Sequence, residues 1–112
     1  MTATTPPPSL DGWDITHAEQ AEWAPWGEGD KARAKVLGSA DGYLVMLVEA
    51  DEGYEGSPHH HKHAEFFYLV RGRLRNQGQE LTTGDGYAAA AGSVHDDFVA
   101  LEPSTYVVTF RL

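Results

Sequence analysis

The chain contains no cysteine. Disulfide frameworks, thiolate zinc sites, iron–sulfur clusters and cysteine nucleophiles are therefore excluded. Basic residues are scarce: 8 Lys and Arg face 17 Asp and Glu, for a formal charge of −9. A surface of that sign repels a phosphate backbone and an anionic bilayer, so neither nucleic acid nor membrane is an expected partner. The shortage is sharpest in residues 1–30, which hold no Lys or Arg but carry Asp11, Asp14, Glu19, Glu22, Glu28 and Asp30. A solvated acidic arm is expected there. No apolar run approaches the ~18 residues of a membrane span, and Met1–Leu10 lacks the basic and apolar regions of a signal peptide, so a soluble cytoplasmic protein is expected. Long 3.6-residue periodicity is missing too, which argues against alternating strands and helices.

What is present suits one small all-β domain. A chain of 112 residues with 41% apolar side chains can build a single core. Its 12 glycines and 6 prolines imply frequent turns and short elements. Strand-like runs at Ala34–Leu37, Tyr43–Glu49, His59–His61, Glu65–Arg71, Arg73–Asn76, Gln79–Leu81, Tyr87–Ala90, His95–Ala100 and Thr105–Leu112 are separated mostly by Gly, Asp, Asn or Pro. That spacing predicts a sandwich or barrel. Within the last run, Tyr106, Val108 and Phe110 share one face. The domain is expected over 32–112. Residues 1–31 are expected to be a proline-rich tail (Thr5–Ser9) and a docked arm covering Trp13, Ile15, Trp23 and Trp26, with one turn of helix near Ala18–Ala21.

Four histidines crowd into five consecutive positions at His59, His60, His61 and His63, and His95 lies further on. On an extended segment, period 2 sends His59, His61, His63 and Glu65 to one face and His60 and Lys62 away. Two imidazoles at i and i+2 can grip one ion from the same side, and a carboxylate four residues on reaches it if the chain bends. His63 is either a further ligand or, after a turn, a rim residue. The competing reading is an exposed histidine loop that takes metal adventitiously. His17, in the acidic arm, reads as a surface residue.

These residues resemble the cupin superfamily. Gly53, His59, His61, Glu65 and Gly72 stand at the spacing of its first motif, and Gly84, Gly92 and His95 at that of its second. Ala90 and Val99 depart from the usual Pro and Asn, and the segment between the motifs is short. The resemblance covers about residues 32–112. It implies a small antiparallel jelly-roll barrel with one divalent ion held by His59, His61, Glu65 and His95. Such a set suits Fe, Mn, Ni, Co or Zn and leaves an octahedral ion two open positions.

Around that site, Phe67 and Leu69 share the inward parity of 65–71 and are expected to wall a substrate pocket, while Phe66, Tyr68 and Val70 point outward. Ala88–Ala91 are small, which either leaves room beside His95 or permits close strand packing. Asp96 or Asp97 is positioned to orient a ligand histidine, to act as a base, or to be a solvated strand-end acid. Arg71, Arg73 and Arg75 are candidates to recognise a substrate carboxylate or to offset the acidic surface. Ser93 lacks the context of a nucleophile elbow, and Gly84-Asp85-Gly86 reads as a turn, not a phosphate cradle.

The resemblance extends to acetylacetone- and dihydroxyacetophenone-cleaving dioxygenases and to the cupin portion of zinc-dependent anti-sigma factors. It implies a mononuclear metal-dependent oxygenase acting on a small aromatic or dicarbonyl-like molecule. The alternatives are a non-catalytic ligand-binding or sensing module and an oxygen-independent metal-assisted cyclase or isomerase. The outward apolar residues and the tryptophan-rich arm point to a homodimer.

Overall fold

The computed structural model describes residues 10–112, so the Thr5–Ser9 tail lies outside the described residues. Along the chain run β1 (Ala24–Pro25), β2 (Ala32–Ala40), β3 (Tyr43–Ala50), β4 (His59–His60), β5 (Glu65–Arg71), β6 (Arg73–Asn76), β7 (Gln79–Thr82), β8 (Gly86–Ala89), β9 (Val94–His95), β10 (Phe98–Ala100) and β11 (Ser104–Arg111). The only helix among the described residues is a 3-10 turn at Ala18–Gln20, where a single helical turn is expected. No helix is long and apolar enough to cross a membrane.

The fold is all-β and antiparallel. One sheet has the order β1-β2-β3-β11-β5-β8; facing it are β10-β6-β7 and the short pair β4-β9. Alternation decides what is buried. On β5, Phe67 and Leu69 turn inward while Phe66 and Tyr68 are each 52% exposed; on β11, Tyr106 and Val108 turn inward. Val48, Leu69 and Leu74 are sealed at the centre of the resulting core.

Two turns set the geometry of the second layer. Gln77 and Gly78 both have positive φ, the conformation of a tight hairpin whose twist matches its strands, and they join β6 to β7. At Gly72, φ is +116° and a Cβ would run into Ser104. Only glycine lets β5 swing into β6 at this corner, and the Arg73 backbone N–H donates to Ser104 Oγ there.

Two expectations need correction. The run His95–Ala100 is not one strand. It breaks at Asp96-Asp97, whose backbone N–H groups both donate to Gln77 Oε1 at the hairpin, so β9 and β10 join different sheets. The arm does dock, but not by burying all its rings. β1 pairs with β2, Lys35 Nζ donates to the Ala18 carbonyl, and Asp14 accepts from the Ser39 N–H. Trp13 stays 71% exposed, and only Trp26 packs against the core. Polar and backbone contacts hold this arm.

Candidate metal centre

Pairing of β4 with β9 sets His59 directly opposite His95. Beyond β4 the ladder continues through the His61 N–H to the Ser93 carbonyl and the Gly92 N–H to the His61 carbonyl. His61 is thereby carried in beside the other two. One nitrogen from each of His59, His61 and His95 lies within 4.8 Å of the others. Glu65 opens β5 on the opposite sheet, with Oε2 3.3 Å from His61 Nε2 and 3.9 Å from His95 Nδ1. The structure thus brings all four residues of the expected ligand set together.

The outer nitrogens decide which tautomers are present. His59 Nδ1 donates to the Ser57 carbonyl. The Ser93 hydroxyl hydrogen goes to the Ala90 carbonyl, so Ser93 Oγ must accept from His61 Nδ1. His95 Nε2 donates to Asn76 Oδ1 at 2.6 Å. Each ring therefore turns a lone pair toward the centre: His59 and His61 through Nε2, His95 through Nδ1. Burial pushes the His95 imidazole below its ordinary pKa, although Glu65 opposes this, and that favours the neutral, electron-donating form.

His61 Nε2 and His95 Nδ1 are buried without any hydrogen-bond partner. An orphaned buried acceptor costs about 1–3 kcal/mol, and two of them beside a carboxylate call for a cation. A divalent ion fits the donor chemistry: three neutral imidazoles and one carboxylate, with no thiolate. The three imidazoles can hold a metal ion.

Glu65 is itself held. Tyr87 Oη donates to Glu65 Oε2 at 2.6 Å, and the Tyr87 ring stacks on Phe67 at 4.6 Å between centroids. Burial raises the Tyr87 pKa well beyond that of a free phenol, with Glu65 adding to the effect, so its hydroxyl stays protonated and donating.

A cavity of about 330 Å³ opens on His59, His95 and Glu65 and is walled by Phe67, Phe98, Val108 and Trp26 of the arm. No Lys or Arg lines it. Leu69, expected in this wall, is absent from it and wholly buried in the core. Parity assigned its face correctly, but two residues further along the strand it no longer reaches the cavity.

Other candidates part from the site. His60 and Lys62 are exposed, and His63 is outside the imidazole cluster. Asp97 does not orient a histidine: it pairs with Arg75 and accepts from the Gly78 N–H, and these partners hold its carboxyl below the usual range. Arg73 pairs with Glu80 and Glu102. The arginines therefore serve the surface. Sequence reasoning missed Asn76, Ser93 and Tyr87 as partners of the site. Asn76 and Ser93 orient the imidazoles, and losing an outer partner typically weakens metal affinity by about 10–100-fold. Asn76→Ala is expected to do so in a competitive zinc titration while retaining the fold; unchanged affinity would remove Asn76 from the site.

An antiparallel all-β fold that gathers three imidazoles beside a cavity has the character of a cupin. The chain belongs to the ChrR Cupin-like domain family, whose model matches residues 12–112 and so takes in most of the arm. The pectin degradation protein KdgF of Dickeya dadantii is 29% identical over 92 residues, covering 77% of this chain and 84% of that protein. KdgF from Halomonas sp. superposes with a TM-score of 0.77 at 25% identity, covering 88% of this chain and 94% of that one. An acetylacetone dioxygenase from Acinetobacter johnsonii gives a TM-score of 0.75 over 99% of this chain and 80% of that one. At 13% identity, that likeness establishes the fold.

Proposed function

We propose that this protein binds one divalent metal ion through His59, His61, His95 and Glu65 and acts as a mononuclear metal-dependent oxygenase on a small aromatic or dicarbonyl-like substrate. The observation that carries the reading is the convergence of orphaned imidazole lone pairs and a carboxylate on the floor of an aromatic cavity. When bound, the ion supplies Lewis acidity and, if redox-active, electrons for dioxygen chemistry. The chain supplies the rest. Phe67, Phe98 and Trp26 exclude water and hold a flat molecule in place, and Tyr87 fixes Glu65 by its hydrogen bond. Cleavage of a 1,3-diketone by this route breaks one carbon–carbon bond and places both atoms of O₂ in the products, a carboxylic acid and a 2-oxoaldehyde.

Iron-loaded protein is expected to consume oxygen in step with the loss of an enolisable or catecholic substrate, followed with an oxygen electrode. No consumption across such a panel would defeat the oxygenase reading. A second reading keeps the same ion as a Lewis acid for an oxygen-independent isomerisation or cyclisation, and the relative named for pectin degradation is not named as an oxygenase. Turnover that persists under anaerobic conditions would select it.

A homodimer is part of the proposal. The outer face of the large sheet carries the rung Tyr68, Val107 and Leu47 beside exposed Phe66, apolar surface of the kind that marks an interaction site. Light scattering at micromolar concentration is expected to report twice the chain mass, and Tyr68→Asp to return it to one. A one-chain mass for the unaltered protein would overturn this.

A further inference from the structure

Tyr54 and Tyr106 are 5% and 3% exposed, and both line the cavity shared with His59, His95 and Glu65. Neither hydroxyl hydrogen has an acceptor among the described residues. The Tyr106 hydroxyl faces the Trp26 side chain, and an indole can only donate. Phe67, Phe98 and Val108 share the lining with Glu28, Ser57 and the residues of the metal centre. With no such bond made within the chain, each phenol hydrogen is left to water or to a ligand oxygen.

The arm makes room for this arrangement. At Gly27, φ is +67° and any Cβ would collide with the Tyr54 hydroxyl. A residue that is all backbone therefore sits where the hydroxyl must fit, directly after Trp26.

We propose that Tyr54 and Tyr106 form a two-hydroxyl subsite that donates to an oxygen of the substrate other than those facing the histidines. The inference rests on the reading of the cavity as the substrate site and sharpens its class. The ligand is a compact, flat, uncharged molecule with an oxygen pair at one end and a separate carbonyl or phenolic oxygen at the other. The absence of Lys and Arg from the lining agrees with a ligand that carries no carboxylate.

The test compares salicylamide with 4-hydroxysalicylamide, which adds only the distant oxygen. Calorimetric titration uses the full chain, zinc-loaded and chelator-treated, with Tyr54→Phe and Tyr106→Phe alongside. The unaltered protein is expected to prefer the hydroxylated probe by about 2–12-fold, the worth of one net hydrogen bond. Each phenylalanine variant should shrink that preference toward unity while binding salicylamide as before. Tyr54→Phe should also keep its melting temperature, since it breaks no hydrogen bond within the chain. The preference should persist without metal, because the hydroxyls belong to the protein. No preference in the unaltered protein, or one that survives both substitutions, overturns the subsite. Failure of both probes to bind overturns the subsite and the cavity reading together. Metal content of the same samples reports on the histidines separately.

Discussion

His95→Ala is expected to remove stoichiometric metal from the protein. His95 presents one of the two orphaned lone pairs, and its loss leaves His59 and His61 on one strand segment with only Glu65 opposite. The fall in affinity should exceed the ~10–100-fold typical of losing an outer partner. Elemental analysis of tag-free protein before and after a chelator measures it. Folding should survive, because replacing a partly satisfied buried imidazole by alanine removes an unpaired polar atom along with the packing it provides. Equal metal in the unaltered and His95→Ala proteins would sink the four-residue site.

The second large effect separates two residues that sequence parity treats alike. Leu69→Ala empties a sealed core position, and such truncations cost about 2–5 kcal/mol. For a chain of this size the melting temperature should fall by at least ~10 °C, while zinc affinity per folded molecule stays put. Phe67→Leu should do the reverse. It keeps most of the apolar volume, at a cost of less than about 1.5 kcal/mol, but removes the ring that stacks on Tyr87 and faces the cavity. Salicylamide binding should drop on the order of tenfold, the upper range of a lost aromatic contact. Thermal denaturation and calorimetric titration of the two variants read both arms. A Leu69→Ala protein with altered ligand binding and normal stability would restore Leu69 to the pocket wall.

That contrast shows how far the sequence was legible. Period 2 within 65–71 told which side chains face inward, because Cβ atoms alternate whatever the neighbours are. It could not tell depth along the barrel, which depends on how β5 registers against β8 and β11. The histidines were legible for the same reason: spacing His59 two residues before His61 survives any rigid placement of the strand. What gathers them with His95 is a long-range ladder between β4 and β9, seen in advance only through the resemblance to cupins. Asn76 and Ser93 carried no signal of their own. Asn76 is an ordinary strand-end residue and Ser93 an ordinary loop residue until the fold brings each against an imidazole. The break at Asp96-Asp97 was equally hidden, since its cause is the amide of Gln77, distant in sequence.

The central place of β11 bears on how the polypeptide emerges from the ribosome. β3 and β5 are both hydrogen-bonded to Ser104–Arg111 and not to each other. Until that segment has been translated, each exposes an unsatisfied edge, and Tyr106 and Val108 are missing from the interior. A nascent chain halted before residue 104 would therefore offer two adhesive borders, a state prone to intermolecular pairing and dependent on chaperones.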